Sequence, residues 1–116
     1  MPRRLLMAGV AALVAMAALP VRAADPTGRI SFLIWGDPAE KKAYESLVAG
    51  FSAKHPGIAV DLVYTPSQTA YYQRIEVDFA AGTPSDVFLG NYRRYAHYAA
   101  NGLVEPLDDW LAKSRI

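Results

Sequence analysis

The 116-residue chain carries no cysteine, 12 basic and 11 acidic residues, and 53% hydrophobic residues. The missing thiols exclude a disulfide framework, a thiolate metal site and a lipidated cysteine. A charge balance so close to neutral lacks the basic excess that phosphate backbones attract, so nucleic acid is excluded as a partner.

The chain opens on Met1-Pro2-Arg3-Arg4, runs apolar from Leu5 to Leu19, breaks at Pro20 and reaches Val21-Arg22-Ala23. A basic start, a short apolar run and a small residue with an aliphatic one two places before it describe a secretory signal peptide over residues 1–23, cleaved after Ala23. The run falls short of the roughly 20 apolar residues that a membrane span needs. Arg3-Arg4 leaves a twin-arginine export route open beside the general one. Arg3, Arg4 and Arg22 leave with the signal, so nine of the 12 basic residues remain against 11 acidic ones, a net charge of −2. Removing 23 of 116 residues leaves 93, one small domain that buries only roughly 60–65% of its unfolded surface.

Three apolar, β-rich runs follow, separated by two stretches of helical period. The first run, Arg29–Trp35, is apolar on both faces, as expected of a strand buried between layers. A helix is predicted over Ala39–His55, with Tyr44, Leu47, Val48 and Phe51 forming one stripe. Asp37-Pro38-Ala39-Glu40 starts it as an N-cap, a proline at the first helical position and a capping-box glutamate. His55-Pro56-Gly57 ends it. The second run, Ile58–Thr65, alternates apolar residues with Asp61 and Thr65. A second helix is predicted over Ser67–Ala81, with Tyr72, Ile75 and Phe79 inward and a stop at Gly82-Thr83-Pro84. The third run is Asp86-Val87-Phe88-Leu89. A further helix is expected from Tyr92 to Asn101, with Tyr95, Tyr98 and Ala99 inward and Gly102 at its end. A last one starts at Pro106-Leu107-Asp108-Asp109 and runs through Trp110 and Leu111.

Strand, helix, strand, helix, strand implies right-handed crossovers and a parallel α/β sheet. Because only the first run is apolar on both faces, it belongs in the middle, giving the order 2-1-3. In that order the chain reverses across the sheet between the first and third strands, and ligands of open α/β sheets bind at such a switch point. The turns there are Trp35-Gly36-Asp37 and Gly90-Asn91-Tyr92. Each offers a glycine, an aromatic ring and a short polar side chain, which suits a sugar: the ring packs on its C–H face and the polar group bonds its hydroxyls. Asp37 is also explained by capping, Trp35 by core packing and Asn91 by turn chemistry. Tyr64, Tyr71 and Tyr72 flank the turn after the second run, so one of them is expected to line the cleft; Tyr72 has the phase of a core residue, which makes Tyr71 the candidate ligand contact. Arg93-Arg94 leaves an anionic solute open, although a solvated pair explains it as well.

The order of motifs resembles the family 1 extracellular solute-binding proteins, the sugar-binding subunits of ABC importers. The resemblance rests on Trp35-Gly36-Asp37-Pro38, on Phe51 with Lys54-His55-Pro56-Gly57-Ile58, and on Tyr71-Tyr72. It rests further on Ala81-Gly82-Thr83-Pro84-Ser85-Asp86-Val87-Phe88 and on Asn101-Gly102-Leu103-Val104-Glu105-Pro106-Leu107-Asp108-Asp109. It implies two α/β lobes of type II-like arrangement that close on a solute and dock to a membrane permease, with the full-length protein a monomer and no cofactor or metal. Such proteins run to several hundred residues, so residues 24–116 are expected to form part of an N-terminal lobe that binds weakly, if at all, alone. Lost neighbours would leave strand edges open, and poor solubility or a partly molten state is expected. Against an enzyme, His55 and His97 sit in a helix-ending turn and a predicted helix, with no Gly-x-Ser-x-Gly elbow beside them. Asp108-Asp109 reads as a helix start rather than a glycosidase pair. A polyol, a glycerol-phosphate-like solute, a polyamine or a peptide stays open as cargo beside a sugar.

Overall fold

The computed structural model describes residues 25–114; the signal segment expected over residues 1–23 lies outside them. The elements run β1 (Gly28–Trp35), α1 (Pro38–Lys54), β2 (Ile58–Thr65), α2 (Gln68–Ala81), β3 (Val87–Phe88), α3 (Tyr92–Ala100) and α4 (Asp108–Lys113). Among these residues the three strands form one parallel sheet in the order β2-β1-β3, as the two-faced apolarity of the first run requires. Ile30 pairs with Val60 and Leu33 with Val63 on one side, and Phe32 with Val87 and Leu33 with Phe88 on the other.

Consecutive residues of a strand point to opposite faces, and Leu33 and Ile34 are 1% and 0% exposed. Both faces of β1 are therefore covered, and each of these side chains contributes about 1.5–3 kcal/mol by leaving water. The Leu33 face carries α2 and α3: Leu33, Tyr71, Ile75 and Tyr98 form the core, with Val63, Phe79, Phe88, Leu103 and Val104 packed around it. The opposite face carries α1, where Tyr44 meets Phe32 edge to face at 5.7 Å.

Local chemistry sets the helix ends. The Asp37 carboxylate accepts from the backbone N–H groups of Ala39 and Glu40, both at 2.8 Å, and the Glu40 carboxylate accepts from Asp37 N–H at 2.8 Å. This is the reciprocal capping box that the sequence predicts. Ser67 caps α2 by accepting from Ala70 N–H. Gly82, at φ 71°, closes that helix in the left-handed conformation, its N–H and that of Thr83 bonding the carbonyls of Phe79 and Asp78.

Three expectations are corrected. The third strand keeps only Val87–Phe88 of the four predicted residues, because Asp86 turns its carboxylate to the Ser31 N–H and hydroxyl instead, both at 2.7 Å. In α3 only Tyr98 is buried; Tyr95 is 63% exposed and Ala99 is exposed. One turn before Tyr98 the exposed Arg94 covers the α2 flank, its guanidinium over the Tyr72 ring, 4.2 Å from the centroid. The α1 stripe faces the sheet, yet Leu47 stays 63% exposed: with Phe51, Ile30, Phe32 and Val87 it lines an apolar groove of about 270 Å³. The last helix begins at Asp108 and runs through Trp110 and Leu111, as expected, with both of those side chains exposed.

Candidate functional site

Parallel neighbours end at the same side of a sheet, so the two turns singled out in the sequence emerge beside each other. The β1–β3 pairing runs one step past the ladder, with Leu89 N–H donating to the Leu33 carbonyl at 3.3 Å. Trp35-Gly36-Asp37 and Gly90-Asn91-Tyr92 follow directly.

At the first corner, Trp35 is half-buried and tilts against Tyr71, centroids 6.3 Å apart. Gly36 is buried, with φ 155°, and a Cβ there would lie 2.5 Å from Glu40 Oε2 and 2.9 Å from Glu40 Cβ. Only glycine lets the capping glutamate fold back over this turn. The Gly36 carbonyl accepts from the Tyr64 hydroxyl at 2.8 Å, tying the corner to β2. Asp37 is exposed, and both N–H groups it caps bond to Oδ1. Its other oxygen has no hydrogen bond among the described residues, so capping and solute contact are compatible.

At the second corner, Asn91 Oδ1 accepts from Arg93 N–H at 2.8 Å and caps α3. That leaves the Asn91 side-chain amine as a donor facing outward. Tyr92 is 79% exposed, and its hydroxyl accepts from Arg93 Nε at 2.9 Å.

Tyr71 is the one predicted ligand contact that the geometry moves. It is 0% exposed and belongs to the core, because α2 turns its Tyr71–Ile75 line inward and sets Tyr72 at the flank. Burial pushes the Tyr71 hydroxyl well above the ordinary tyrosine range. It donates to the Leu89 carbonyl at 2.8 Å, with the Leu33 carbonyl a second acceptor at 3.4 Å. Tyr72 instead lines a depression of about 450 Å³ between the first turns of α2 and α3, together with Gln68, Thr69, Gln73, Glu76, Asn91, Arg93 and Arg94. This volume lies within the range of small-ligand pockets, and its wall is rich in amide and hydroxyl groups. Arg94 is paired with Glu76 at 3.3 Å.

Of the α2 residues around the depression, Gln68, Thr69, Gln73 and Glu76 were missed in the sequence, whereas Tyr72 was weighed there and set aside. Thr69, Tyr72, Gln73 and Glu76 recur at i, i+3, i+4 and i+7, a polar stripe beside the apolar one, and that periodicity is the signal that would have found them. A second groove of about 500 Å³ follows the outer edge of β3. Its lining of Phe79, Val87, Phe88, Tyr95, Leu103 and Leu107 is mostly apolar, unlike a site for a polar solute.

Two turns emerge side by side at the carboxyl ends of a parallel sheet, flanked by a polar depression, the place where open α/β proteins take their ligands. The family model for bacterial extracellular solute-binding proteins matches residues 35–116. The chain belongs to that family. Two solved structures share the fold. One is an extracellular solute-binding protein of family 1 from Alicyclobacillus acidocaldarius subsp. acidocaldarius DSM 446, with TM-score 0.70, 22% identity, and coverage of 74% of this chain and 22% of that one. The other is an ABC substrate-binding protein from Listeria monocytogenes in complex with cycloalternan, with TM-score 0.70, 23% identity, and coverage of 78% of this chain and 22% of that one. The chain thus spans under a quarter of either relative's length.

Proposed function

We propose that this chain contributes one wall of the solute cleft in the binding component of an ABC importer, and that the solute is a sugar or oligosaccharide. The observation that carries the reading is the side-by-side placement of Trp35-Gly36-Asp37 and Gly90-Asn91-Tyr92, with the polar depression around Tyr72 adjoining the second corner. Trp35 and Tyr72 offer ring surface, while Asn91, Gln68 and Gln73 offer donors and acceptors suited to hydroxyl groups. The family match supports a carrier role, and the cycloalternan held by the Listeria protein supports a carbohydrate. In this reading residues 1–23 are a cleaved export signal, residues 24–116 work outside the cytoplasm, and the partners are the solute and the membrane-spanning permease subunits. The solute leaves unchanged.

One wall of a cleft cannot enclose a ligand, so the expected affinity of the chain alone is millimolar, about −4 kcal/mol. A titration of the isotopically labelled chain with cycloalternan, followed by amide and indole NMR shifts, reads that range. Saturable shifts at the Trp35 indole, the Asn91 side-chain amide and the Tyr72 region are expected. Shifts produced by a polyol phosphate, a polyamine or a peptide and not by any saccharide would replace the sugar with that cargo. Conversion of a glycoside would make the protein an enzyme.

A further inference from the structure

Building on the solute-site reading above, we propose that Tyr71 is the positioning residue of the site, a buried bolt that fixes both corners and the depression relative to one another without touching solute. Three contacts of one side chain carry this. Its hydroxyl donates to the carbonyl of Leu89, the residue just before the second corner, at 2.8 Å, with the Leu33 carbonyl of β1 a weaker second acceptor at 3.4 Å. Its ring supports Trp35 of the first corner at 6.3 Å between centroids. The same ring meets Tyr72 edge-on at 5.2 Å, and Tyr72 lines the depression.

The backbone alone would hold these parts loosely. Only two residues of β3 join the ladder, and the next inter-strand bond, Leu89 N–H to the Leu33 carbonyl, is 3.3 Å long, beyond the usual range. With the second corner attached through so short a strand, the 2.8 Å bond from the Tyr71 hydroxyl ties the Leu89 stem to α2, and the Tyr71–Trp35 ring contact ties α2 to the end of β1. The Tyr71 side chain is fully buried and Leu89 is half-buried, so removing the hydroxyl leaves the Leu89 carbonyl without its protein donor.

The test uses Tyr71→Phe, which keeps the ring and deletes only the hydroxyl, with Tyr64→Phe as the control that removes a different hydroxyl–carbonyl bond, that to Gly36. Amide hydrogen exchange in the whole chain is the first readout. Loss of one buried hydrogen bond, about 1–1.5 kcal/mol, corresponds to roughly five- to tenfold faster local exchange. In Tyr71→Phe that acceleration is expected at Leu89, whose N–H donates to the Leu33 carbonyl, with the β1–β2 amides unchanged; Tyr64→Phe leaves Leu89 within twofold of the parent. A uniform acceleration across the chain, or none at Leu89, overturns the proposal by making Tyr71 an ordinary core residue. Should Tyr71→Phe fail to fold, the parent chain still decides: a slowly exchanging Tyr71 hydroxyl proton showing NOEs to Leu89 is expected, and its absence overturns the bond. Cycloalternan titration is the second readout, with Tyr71→Phe shifting the Trp35 and Asn91 responses to about fivefold higher concentration. If the parent chain does not bind cycloalternan while the exchange pattern holds, the sugar reading fails and the positioning role stands.

Discussion

Replacing Asp37 separates its two roles. In the structure its Oδ1 accepts two helix N–H groups at 2.8 Å, and Glu40 returns a bond of the same length to the Asp37 N–H. A side-chain cap is worth about 1 kcal/mol within a range of 0.5–2, and a carboxylate at a helix N-terminus adds about 0.3–1 kcal/mol that salt screens. No residue of α1 is fully buried, so packing does little to mask the loss. Asp37→Ala removes both contributions and is expected to cost about 1–2 kcal/mol, a fall in Tm of roughly 4–16 °C for a domain of this size. Asp37→Asn keeps an acceptor of equal capping quality and loses only the charge, so it should cost about 0.3–1 kcal/mol at low salt and near zero in 0.5 M NaCl. Melting followed by far-UV circular dichroism at both salt concentrations measures this. The saccharide titration then reads the second role: if the unused oxygen of Asp37 meets solute, Asp37→Asn weakens binding while leaving stability almost intact. An Asp37→Ala chain that melts within 2 °C of the parent would refute the capping account.

Two further outcomes follow from polar groups elsewhere. The Tyr98 hydroxyl is buried with no hydrogen-bond partner among the described residues, and its proton is held more tightly than in ordinary tyrosine, by burial first and then by Glu76. Since an unsatisfied buried hydroxyl costs about 1–3 kcal/mol, Tyr98→Phe should leave Tm unchanged or raise it by a few degrees; a clear fall would show the hydroxyl to be bonded. Asp86 is held below the ordinary carboxylate range by the Ser31 N–H and then by its hydroxyl. A depressed folded pKa means the stabilisation is present above the unfolded value near 4 and disappears as pH falls through the lower folded value. NMR titration of the Asp86 carboxyl should give a midpoint below 3.8, and Ser31→Ala should move it up and bring acid unfolding to higher pH. An unmoved midpoint would remove the Ser31 hydroxyl from the account of how β3 is held to β1 and leave its N–H alone in that role.

The sheet order was legible because it depends on a property each strand carries by itself. Leu33 and Ile34 are both apolar, hence the strand holding them needs cover on two faces, whereas Asp61 in the second strand marks a face turned to water; indeed Asp61 pairs there with the exposed Arg29. The first helix start was legible for the same reason, since Asp37, Pro38 and Glu40 act on one another within a single turn. Helical phase is different. Tyr71, Tyr72, Ile75 and Phe79 satisfy both an i, i+4, i+8 line and an i, i+3, i+7 line, and these differ by the one tyrosine. Which of the two enters the core is decided by the carbonyls of Leu33 and Leu89, 38 and 18 residues away.

The inversion in α3 has a related cause with a different consequence for the site. Pattern reading sends arginine outward and tyrosine inward, yet Arg94 lies across Tyr72 and Tyr95 faces water. A guanidinium can cover an aromatic face and keep its charge paired, here with Glu76, so it belongs on a wall that is part core and part cleft. Tyr71, Tyr72 and Arg94 therefore lie along one seam, where the packing layer beneath the sheet's carboxyl end gives way to the side of the depression. Positions on such a seam have neither a purely apolar nor a purely aqueous environment, and a rule that sorts side chains between those two loses its grip at the surface where a solute would bind.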